Sequence, residues 1–325
     1  MKQLLNKIIA QESFSFEESK SLIYAIENET INQETLAGIL IGFQIKGLDI
    51  QEVSGFRKAL LELCTPIEID SEHAIDLCGT GGDGKNTFNI STTSSLVLAA
   101  MGRKVIKHGN YGVSSVSGSS NVLEAIGFSF EKESGELQRS LDEKNICFLH
   151  APLFHPTLKK AAGARGNLGV RTLFNCLGPL VNPAQPKYQL TGTYSLELAK
   201  TYQHILKNER NDYRIVFGMD GYDEITLTDS TRVLGKYNDQ IVNANSFDSD
   251  IVQPADIHGG NTVDEAAKIL LNILKGQGTN AQTASVSANV AMGLQLYSPN
   301  ENLLDLFNES QQFIASGQVA KHFNF

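Results

Sequence analysis

The chain has 325 residues, of which 41% are hydrophobic and 19% are charged, a composition typical of a globular protein with one large domain and a smaller one. Its net charge of −9 argues against nucleic-acid binding through a broad basic face. The chain shows no signal-peptide pattern and no apolar run of membrane length, so we expect a cytoplasmic protein. Its four cysteines form no C-x-x-C pair and are expected to be buried free thiols: Cys64, Cys78, Cys147 and Cys176.

The first part of the chain, to about residue 64, predicts four helices. Ser15 and Asp49 each begin a capping-box sequence, and Asn32 suits the N-cap of the helix between them. That third helix is apolar on nearly every side from residue 36 to 45, so it needs cover from the rest of the chain or from a second subunit.

From Ile75 onward, strand-length apolar runs alternate with helical patterns, which predicts an α/β fold: a central, mostly parallel sheet flanked by helices, with a small all-helical N-terminal domain. The domains are expected at 1–66, joined by part of about 166–185, and at 70–325. The predicted strands are 75–78, 104–107, 146–149, 188–193, 214–218 and, more weakly, 224–227 and 232–234. The predicted helices are 94–101, 119–125, 135–144, 156–165, 196–206, 263–274, 285–296 and 302–316, followed by a frayed tail.

The sequence Gly-Thr-Gly-Gly-Asp-Gly at residues 79–84 lies between a predicted strand and a polar helix start. This order directs backbone N–H groups and the positive end of a helix toward one point, which suits a phosphate. The six residues also match the dinucleotide pattern, but a dinucleotide site needs an acidic residue about 20 positions later. Here the second strand runs into Lys-His-Gly-Asn at residues 107–110. The pattern therefore favours a highly phosphorylated small molecule.

Four motifs resemble, in order and spacing, those of the anthranilate phosphoribosyltransferase family: GTGGD at 79–83, NIST at 89–92, KHGN at 107–110 and GSS at 118–120. The resemblance extends over nearly the whole chain. It implies transfer of the 5-phosphoribosyl group from its 1-diphosphate (the donor) to the amine of anthranilate (the acceptor), in tryptophan biosynthesis. It also implies a homodimer formed through the N-terminal helical domain.

The donor needs groups that hold phosphates and neutralise the leaving diphosphate, so positioning and electrostatics should dominate catalysis. One N-cap requires one polar side chain, whereas the start of the helix after the glycine turn has several. Together with the resemblance, this predicts the following donor-binding residues: Gly79, Gly81, Gly82, Asp83, Thr87, Asn89, Ile90, Ser91, Thr92, Lys107, His108, Gly109, Asn110, Tyr111, Gly112, Val113, Ser114, Ser115 and Ser119.

Asp223 and Glu224 follow a predicted strand, and two adjacent carboxylates usually mean a solvated loop. A diphosphate, however, calls for Mg²⁺, which uses one or two carboxylates together with substrate oxygens. The run Asp-Gly-Tyr-Asp-Glu-Ile resembles the family's metal motif. The resemblance therefore implies about two Mg²⁺ ions per subunit, held by Asp223 and Glu224, with Ser91 as a further ligand.

Arg165 could simply compensate a helix dipole, but a guanidinium can also hold the acceptor carboxylate in bidentate fashion. The resemblance gives Arg165 that task and places Gly79, His108, Asn110, Gly178 and Pro179 around the acceptor. It makes His108, Asn110 and Arg165 the catalytic residues. The chain departs from the usual family pattern at several positions, which bears on acceptor fit rather than on the donor: Asn121, His150, Lys160, Gly163 and the segment 285–289.

Two other functions fit parts of the pattern. A pyrimidine nucleoside phosphorylase shares the architecture and the glycine-rich turn, but it binds one inorganic phosphate and has no need of a magnesium-binding carboxylate pair. A non-catalytic nucleic-acid-binding relative would carry a basic surface, which the net charge of −9 does not favour.

Overall fold

A computed structural model describes residues 2–112, 116–207, 209 and 212–325. The N-terminal helices are α1 (Lys2–Ile9), α2 (Phe16–Glu27), α3 (Gln33–Lys46) and α4 (Ile50–Leu63). Their predicted caps are confirmed, because Ser15 and Asp49 each close a capping box and Asn32 Oδ1 accepts from the Thr35 N–H at 2.9 Å.

Helix α3 is covered on one side only. Leu36, Leu40 and Phe43 are buried, and Gly42 lies so close to α1 that a Cβ there would stand 2.0 Å from Ile8 Cγ2. Ile45, in contrast, is 74% exposed. The described chain therefore leaves an apolar part of this helix open, and the expectation of cover on all sides is not met within one subunit.

The remaining elements form a seven-stranded sheet with helices on both faces. The strands are β1 (Ala74–Gly79), β2 (Lys104–Gly109), β3 (Ile146–His150), β4 (Tyr188–Gly192), β5 (Asp212–Gly218), β6 (Thr231–Gly235) and β7 (Asp239–Val242). In the order β3-β2-β1-β4-β5-β6-β7, they are parallel from β3 to β5 and antiparallel from β5 to β7. This confirms the predicted α/β class.

The helices of this part begin with α5 after the glycine turn and end at the C-terminus. They are α5 (Ile90–Ala100), α6 (Ser119–Ala125), α7 (Ser134–Lys144), α8 (Ala151–Phe154), α9 (Pro156–Lys160), α10 (Ala162–Leu168), α11 (Leu196–Leu206), α12 (Val263–Leu274), α13 (Asn280–Tyr297), α14 (Leu303–Ala315) and α15 (Gln318–Phe323). No helix in the described ranges is long and apolar enough to cross a membrane.

Each face of the sheet has its own hydrophobic core. Along β5 the side chains alternate between them, as the two-residue period of a strand requires: Tyr213 and Ile215 join one core and Val216 the other. The first core contains the N-terminal helices, the short 3-10 helix Leu173–Cys176 and α11. The second contains α5 and α12 to α14.

The predicted strand at 224–227 is wrong. Leu227 has a positive φ of 63°, and the Asn289 side chain of α13 replaces the missing strand partner. Its Oδ1 accepts from the Ile225 N–H at 3.3 Å, and its Nδ2 donates to the Ile225 carbonyl at 2.9 Å. The apolar residues here are buried by α13 rather than by a neighbouring strand.

The structure differs from the sequence predictions at further points. The single helix predicted at 156–165 is divided into α9 and α10, strand β7 was not predicted, and the expected frayed tail includes helix α15. All four cysteines are free, but only Cys147 and Cys176 are fully buried, whereas Cys64 and Cys78 are partly exposed.

Candidate active site

A cavity of about 570 Å³ opens at the carboxyl ends of β1 and β2, the edge where α/β proteins bind ligands. It collects every described residue that the sequence predicted for donor, acceptor or metal. These are Gly79, Gly81, Gly82, Asp83, Thr87, Asn89, Ile90, Ser91, Thr92, Lys107, His108, Gly109, Asn110, Tyr111, Gly112, Ser119, Arg165, Gly178, Pro179, Asp223 and Glu224. The predicted Val113, Ser114 and Ser115 lie outside the described residues.

The glycine turn is tied to the carboxylate pair. Gly81 and Gly82 adopt positive φ angles of 61° and 73°, which only glycine adopts at little cost. The Gly81 N–H donates to Asp223 Oδ2 at 2.7 Å. This N–H of the turn is therefore engaged by a protein carboxylate.

Asp223 is buried, and the adjacent Glu224 lies half-buried in the cavity wall. Glu224 Oε1 accepts from the Ser91 N–H at 3.2 Å, at the start of α5. Burial, with the nearby Asp83 carboxylate, raises the pKa of Asp223 to about 7. Burial, with Asp223, raises the pKa of Glu224 to about 8. Two neighbouring carboxylates that resist ionisation are stabilised in the charged form by a bound cation.

The side-chain ligands available here suit Mg²⁺ in particular. They are oxygen atoms, which this hard cation prefers, and Mg²⁺ commonly takes only one or two protein carboxylates because it keeps waters and binds substrate phosphates. No group of three or more His, Cys, Asp or Glu side chains placed to hold a metal occurs in the described residues. Asp223 and Glu224, with the Ser91 hydroxyl, would thus form part of a coordination shell that substrate oxygens complete.

The polar side chains at the start of α5 are not all engaged in capping the helix. Asn89 occupies the N-cap position but makes no capping hydrogen bond. Its Nδ2 instead donates to the Ser117 carbonyl at 3.1 Å, which joins the start of α5 to the loop after β2. The capping explanation for Asn89 is therefore excluded, and the neighbouring Ser91 and Thr92 line the cavity.

Lys107 is almost fully buried beneath the cavity wall. Its ammonium group donates to the Leu77 carbonyl, and its charge opposes the burial-driven rise in the pKa values of Asp76 and Glu224. Lys107 was predicted to bind the phosphoribosyl donor, and its position gives it a second role as a counter-ion of nearby carboxylates.

Asp76 and Asn182 were not predicted. Asp76 accepts from the His108 N–H at 3.3 Å and from Asn182 Nδ2 at 2.9 Å, so it connects the end of β2 with the wall next to Pro179. Burial raises the pKa of Asp76 to about 6. The available sequence signal was a lone carboxylate within an apolar strand.

His108 is a buried, neutral imidazole. Its Nδ1–H donates to the Gly178 carbonyl at 3.1 Å, and Nε2 has no hydrogen-bond partner within the described residues. Burial, with the neighbouring His155 ring at 5.2 Å, lowers the pKa of His108 to about 3. With a proton on Nδ1, Nε2 presents a lone pair and can accept a hydrogen bond.

The loop after β2 is closed by Asn121, one of the departures from the family pattern. Its Oδ1 accepts from the N–H groups of Gly112 at 2.9 Å and Gly118 at 3.0 Å. His150, a second departure, is hydrogen-bonded to Ser120 at 2.8 Å and stacks on Phe130. Asn121 thus joins this loop to α6, and His150 contacts α6 at the residue after the predicted Ser119.

Arg165 lines the same cavity as Gly178 and Pro179. Its guanidinium stacks on Phe174 at 5.4 Å and forms no ion pair with any described residue, while burial lowers its pKa. A half-buried, unpaired guanidinium on an aromatic ring is suited to a planar carboxylate. Arg171, which was not predicted, also lines the cavity and stacks on Tyr194 at 4.6 Å.

Comparison with known proteins places the chain in a family. Residues 71–320 match the sequence model of the glycosyl transferase family a/b domain, and residues 2–64 match the helical bundle domain of the same family. The anthranilate phosphoribosyltransferase of Christiangramia forsetii is 46% identical, covering 99% of this chain and 97% of the relative. That of Flavobacterium psychrophilum is 44% identical over 98% and 96%.

Solved structures agree with this assignment. The anthranilate phosphoribosyltransferase of Thermus thermophilus superposes with a TM-score of 0.89 at 28% identity, covering 99% of this chain and 97% of that one. The Saccharomyces cerevisiae enzyme in complex with PRPP and Mg has the same fold, with a TM-score of 0.89 at 23% identity over 99% and 95%. The chain belongs to the anthranilate phosphoribosyltransferase family.

Proposed function

We propose that this enzyme transfers the 5-phosphoribosyl group from 5-phosphoribosyl 1-diphosphate to the amine of anthranilate and releases diphosphate, in tryptophan biosynthesis. Relatives that match this chain over nearly their whole length are named anthranilate phosphoribosyltransferase. The C1–diphosphate bond of the donor breaks, a C1–nitrogen bond forms with inversion, and the amine loses a proton.

The observation that carries the proposal is the carboxylate pair, because Asp223 and Glu224 are bonded to the glycine turn and the start of α5. A site for a single inorganic phosphate would gain nothing from two adjacent anions in its wall. A donor that brings a diphosphate with Mg²⁺ does, because the bound metal would neutralise charge that develops on the leaving group. We propose about two ions per subunit.

Anthranilate is bound by a second set of residues in the same cavity. Arg165 holds the carboxylate of anthranilate, and the Gly178–Pro179 wall packs along its ring. His108 accepts a hydrogen bond from the amine through its free Nε2, and Asn110 lines the same cavity. The amine is already neutral at pH 7, so alignment at C1 matters more than a strong base.

The test is an assay of anthranilate fluorescence with the purified enzyme. We expect fluorescence loss only when both 5-phosphoribosyl 1-diphosphate and Mg²⁺ are present. The alternative, a pyrimidine nucleoside phosphorylase, predicts phosphate-dependent cleavage of thymidine or uridine without Mg²⁺, measured in parallel. Salt-dependent retention on DNA would indicate the nucleic-acid-binding alternative.

We further propose a cytoplasmic homodimer formed through the N-terminal helical domain, which spans residues 1–66 with part of about 166–185; the catalytic domain spans 70–325. The open apolar side of α3 supports this, since Ile45 is 74% exposed, and on α1 Ile9 is 79% exposed. Because α1 and α3 pack against each other, their exposed apolar side chains offer a surface for a second subunit.

A further inference from the structure

The helix that carries Arg165 is short and begins at a break in the chain. Helix α9 ends at Lys160 and the seven-residue α10 begins at Ala162, with no capping side chain at Ala161 between them. A helix of this length has little stability of its own, and the N–H groups of its first turn lack partners within the helix. Contacts with neighbouring elements must therefore fix its position.

Gln33, at the first position of α3, supplies those contacts from a distant part of the chain. Its Oε1 accepts from the Ala164 N–H at 2.8 Å, which is the bond that an N-cap residue would normally make. Its Nε2 donates to the Lys160 carbonyl at 3.1 Å. One amide side chain thus bonds the end of α9 and the first turn of α10, directly before Arg165.

Other contacts hold the same junction. Glu27, at the end of α2, accepts from the Thr157 hydroxyl at 2.7 Å and pairs with the Lys160 ammonium group at 2.9 Å. A Cβ at Gly163 would lie 3.1 Å from Gln33 Oε1, so glycine leaves room for the amide. Two departures from the family pattern, Lys160 and Gly163, therefore both serve the contact between this junction and the N-terminal helices.

We propose that Gln33 is a positioning residue for the acceptor, acting through Arg165. It does not line the cavity, but by fixing the start of α10 it sets where the guanidinium stands relative to the reacting amine. The proposal rests on the proposed function, in which Arg165 binds the acceptor carboxylate. Small displacements of a substrate-holding group lower the rate strongly, so an exposed side chain outside the cavity influences acceptor binding.

The test compares steady-state constants of purified variants. Gln33→Ala is expected to raise the KM for anthranilate about three- to tenfold, with the KM for 5-phosphoribosyl 1-diphosphate unchanged. Gln33→Glu keeps an oxygen that can accept a hydrogen bond from the Ala164 N–H, but it loses the N–H group that donates to the Lys160 carbonyl. Its effect should therefore be smaller. The matched control is Glu34→Ala, the next residue on α3, which is also exposed and should leave both constants unchanged.

A double-mutant comparison separates positioning from general loosening. If Gln33 acts through Arg165, Gln33→Ala added to Arg165→Ala should cause no further rise in the anthranilate KM. An additive effect, or an equal rise of both KM values with a lowered melting temperature, would overturn the proposal. An unchanged anthranilate KM in Gln33→Ala would also overturn it while leaving the proposed function intact, whereas a wild-type enzyme that consumes no anthranilate would overturn the function itself.

Discussion

Gly192, at the end of β4, lies directly against the main chain of Asp223. A Cβ at position 192 would stand 1.5 Å from the Asp223 carbonyl oxygen, so only glycine fits without moving the loop. Gly79, at the end of β1, has the same relation to the side chain, with 2.4 Å between its added Cβ and Asp223 Oδ2. Two strand ends without side chains thus bring the carboxylate onto the sheet edge.

Gly192→Ala should therefore displace Asp223 and lower both stability and Mg²⁺-dependent activity. Overpacking of this kind costs about 1–3 kcal/mol, measurable by denaturant unfolding. The matched control is Gly135→Ala in the first turn of α7, where an added Cβ meets nothing within 4 Å, so alanine should not lower stability or activity. Full activity with unchanged stability in Gly192→Ala would contradict the observed packing.

Arg165→Ala should raise the KM for anthranilate far more than that for the donor. Losing one partner of a buried, hydrogen-bonded charge pair costs about 2–5 kcal/mol, so we expect a rise of about 30-fold or more. Arg165→Lys keeps the charge but loses the planar fork, so it should be intermediate. An unchanged anthranilate KM in Arg165→Ala would remove this residue from the acceptor site.

The buried histidines make one contribution to the pH dependence of stability, and the buried carboxylates Asp76, Asp223 and Glu224, whose pKa values are raised, act in the opposite direction. Burial lowers the pKa of His108 to about 3 and that of His155 to about 4, whereas a histidine in the unfolded chain titrates near a pKa of about 6.5. Below that pH the unfolded state binds more protons, so the stabilising contribution of the neutral rings declines as pH falls toward about 4.

The expected slope is at most about 1.4 kcal/mol per pH unit for each histidine. It can be measured by urea unfolding between about pH 6.5 and about pH 4.5, where the free energy of unfolding of His155→Asn should rise relative to that of the wild type as pH falls. An identical slope in the two proteins would mean that His155 is not a source of the pH dependence.

The dimer proposal predicts that Ile45→Asp yields monomers. A charge within an apolar interface is left without a partner, which costs several kcal/mol, so light scattering should report about one 35.4-kDa chain. The control is Ile241→Asp, also well exposed at 64% but on the edge strand β7 rather than on an N-terminal helix. Dimers that persist in Ile45→Asp would place the interface elsewhere.

Local signals predicted the elements whose partners are close in sequence. Helices α6, α11 and α12 have their expected bounds, and the caps at Ser15, Asn32 and Asp49 are formed as the sequence indicates. The glycine turn and the motif at 107–110 were located because consecutive parallel strands end at one sheet edge.

Residues that depend on distant partners could not be predicted. Asn289, 64 positions away, makes the hydrogen bonds with the Ile225 main chain that a neighbouring strand would make. Gln33 caps α10 from 131 positions away. Asp76 is hydrogen-bonded to Asn182, a residue far away in the sequence. Such contacts leave no periodic pattern in the sequence, whereas periodicity and caps carry only local information.

In the proposed function, Asp223 and Glu224 bind Mg²⁺ together with the phosphorylated donor. Calorimetric titration of 5-phosphoribosyl 1-diphosphate into the enzyme, with and without Mg²⁺, tests this role. We expect binding in the wild type to tighten at least about tenfold with Mg²⁺, because substrate oxygens complete the metal shell. The double variant Asp223→Asn, Glu224→Gln should lose that gain, whereas Asp229→Asn, an exposed carboxylate of the same loop, should keep it. Equal Mg²⁺ dependence in the wild type and the double variant would contradict the account.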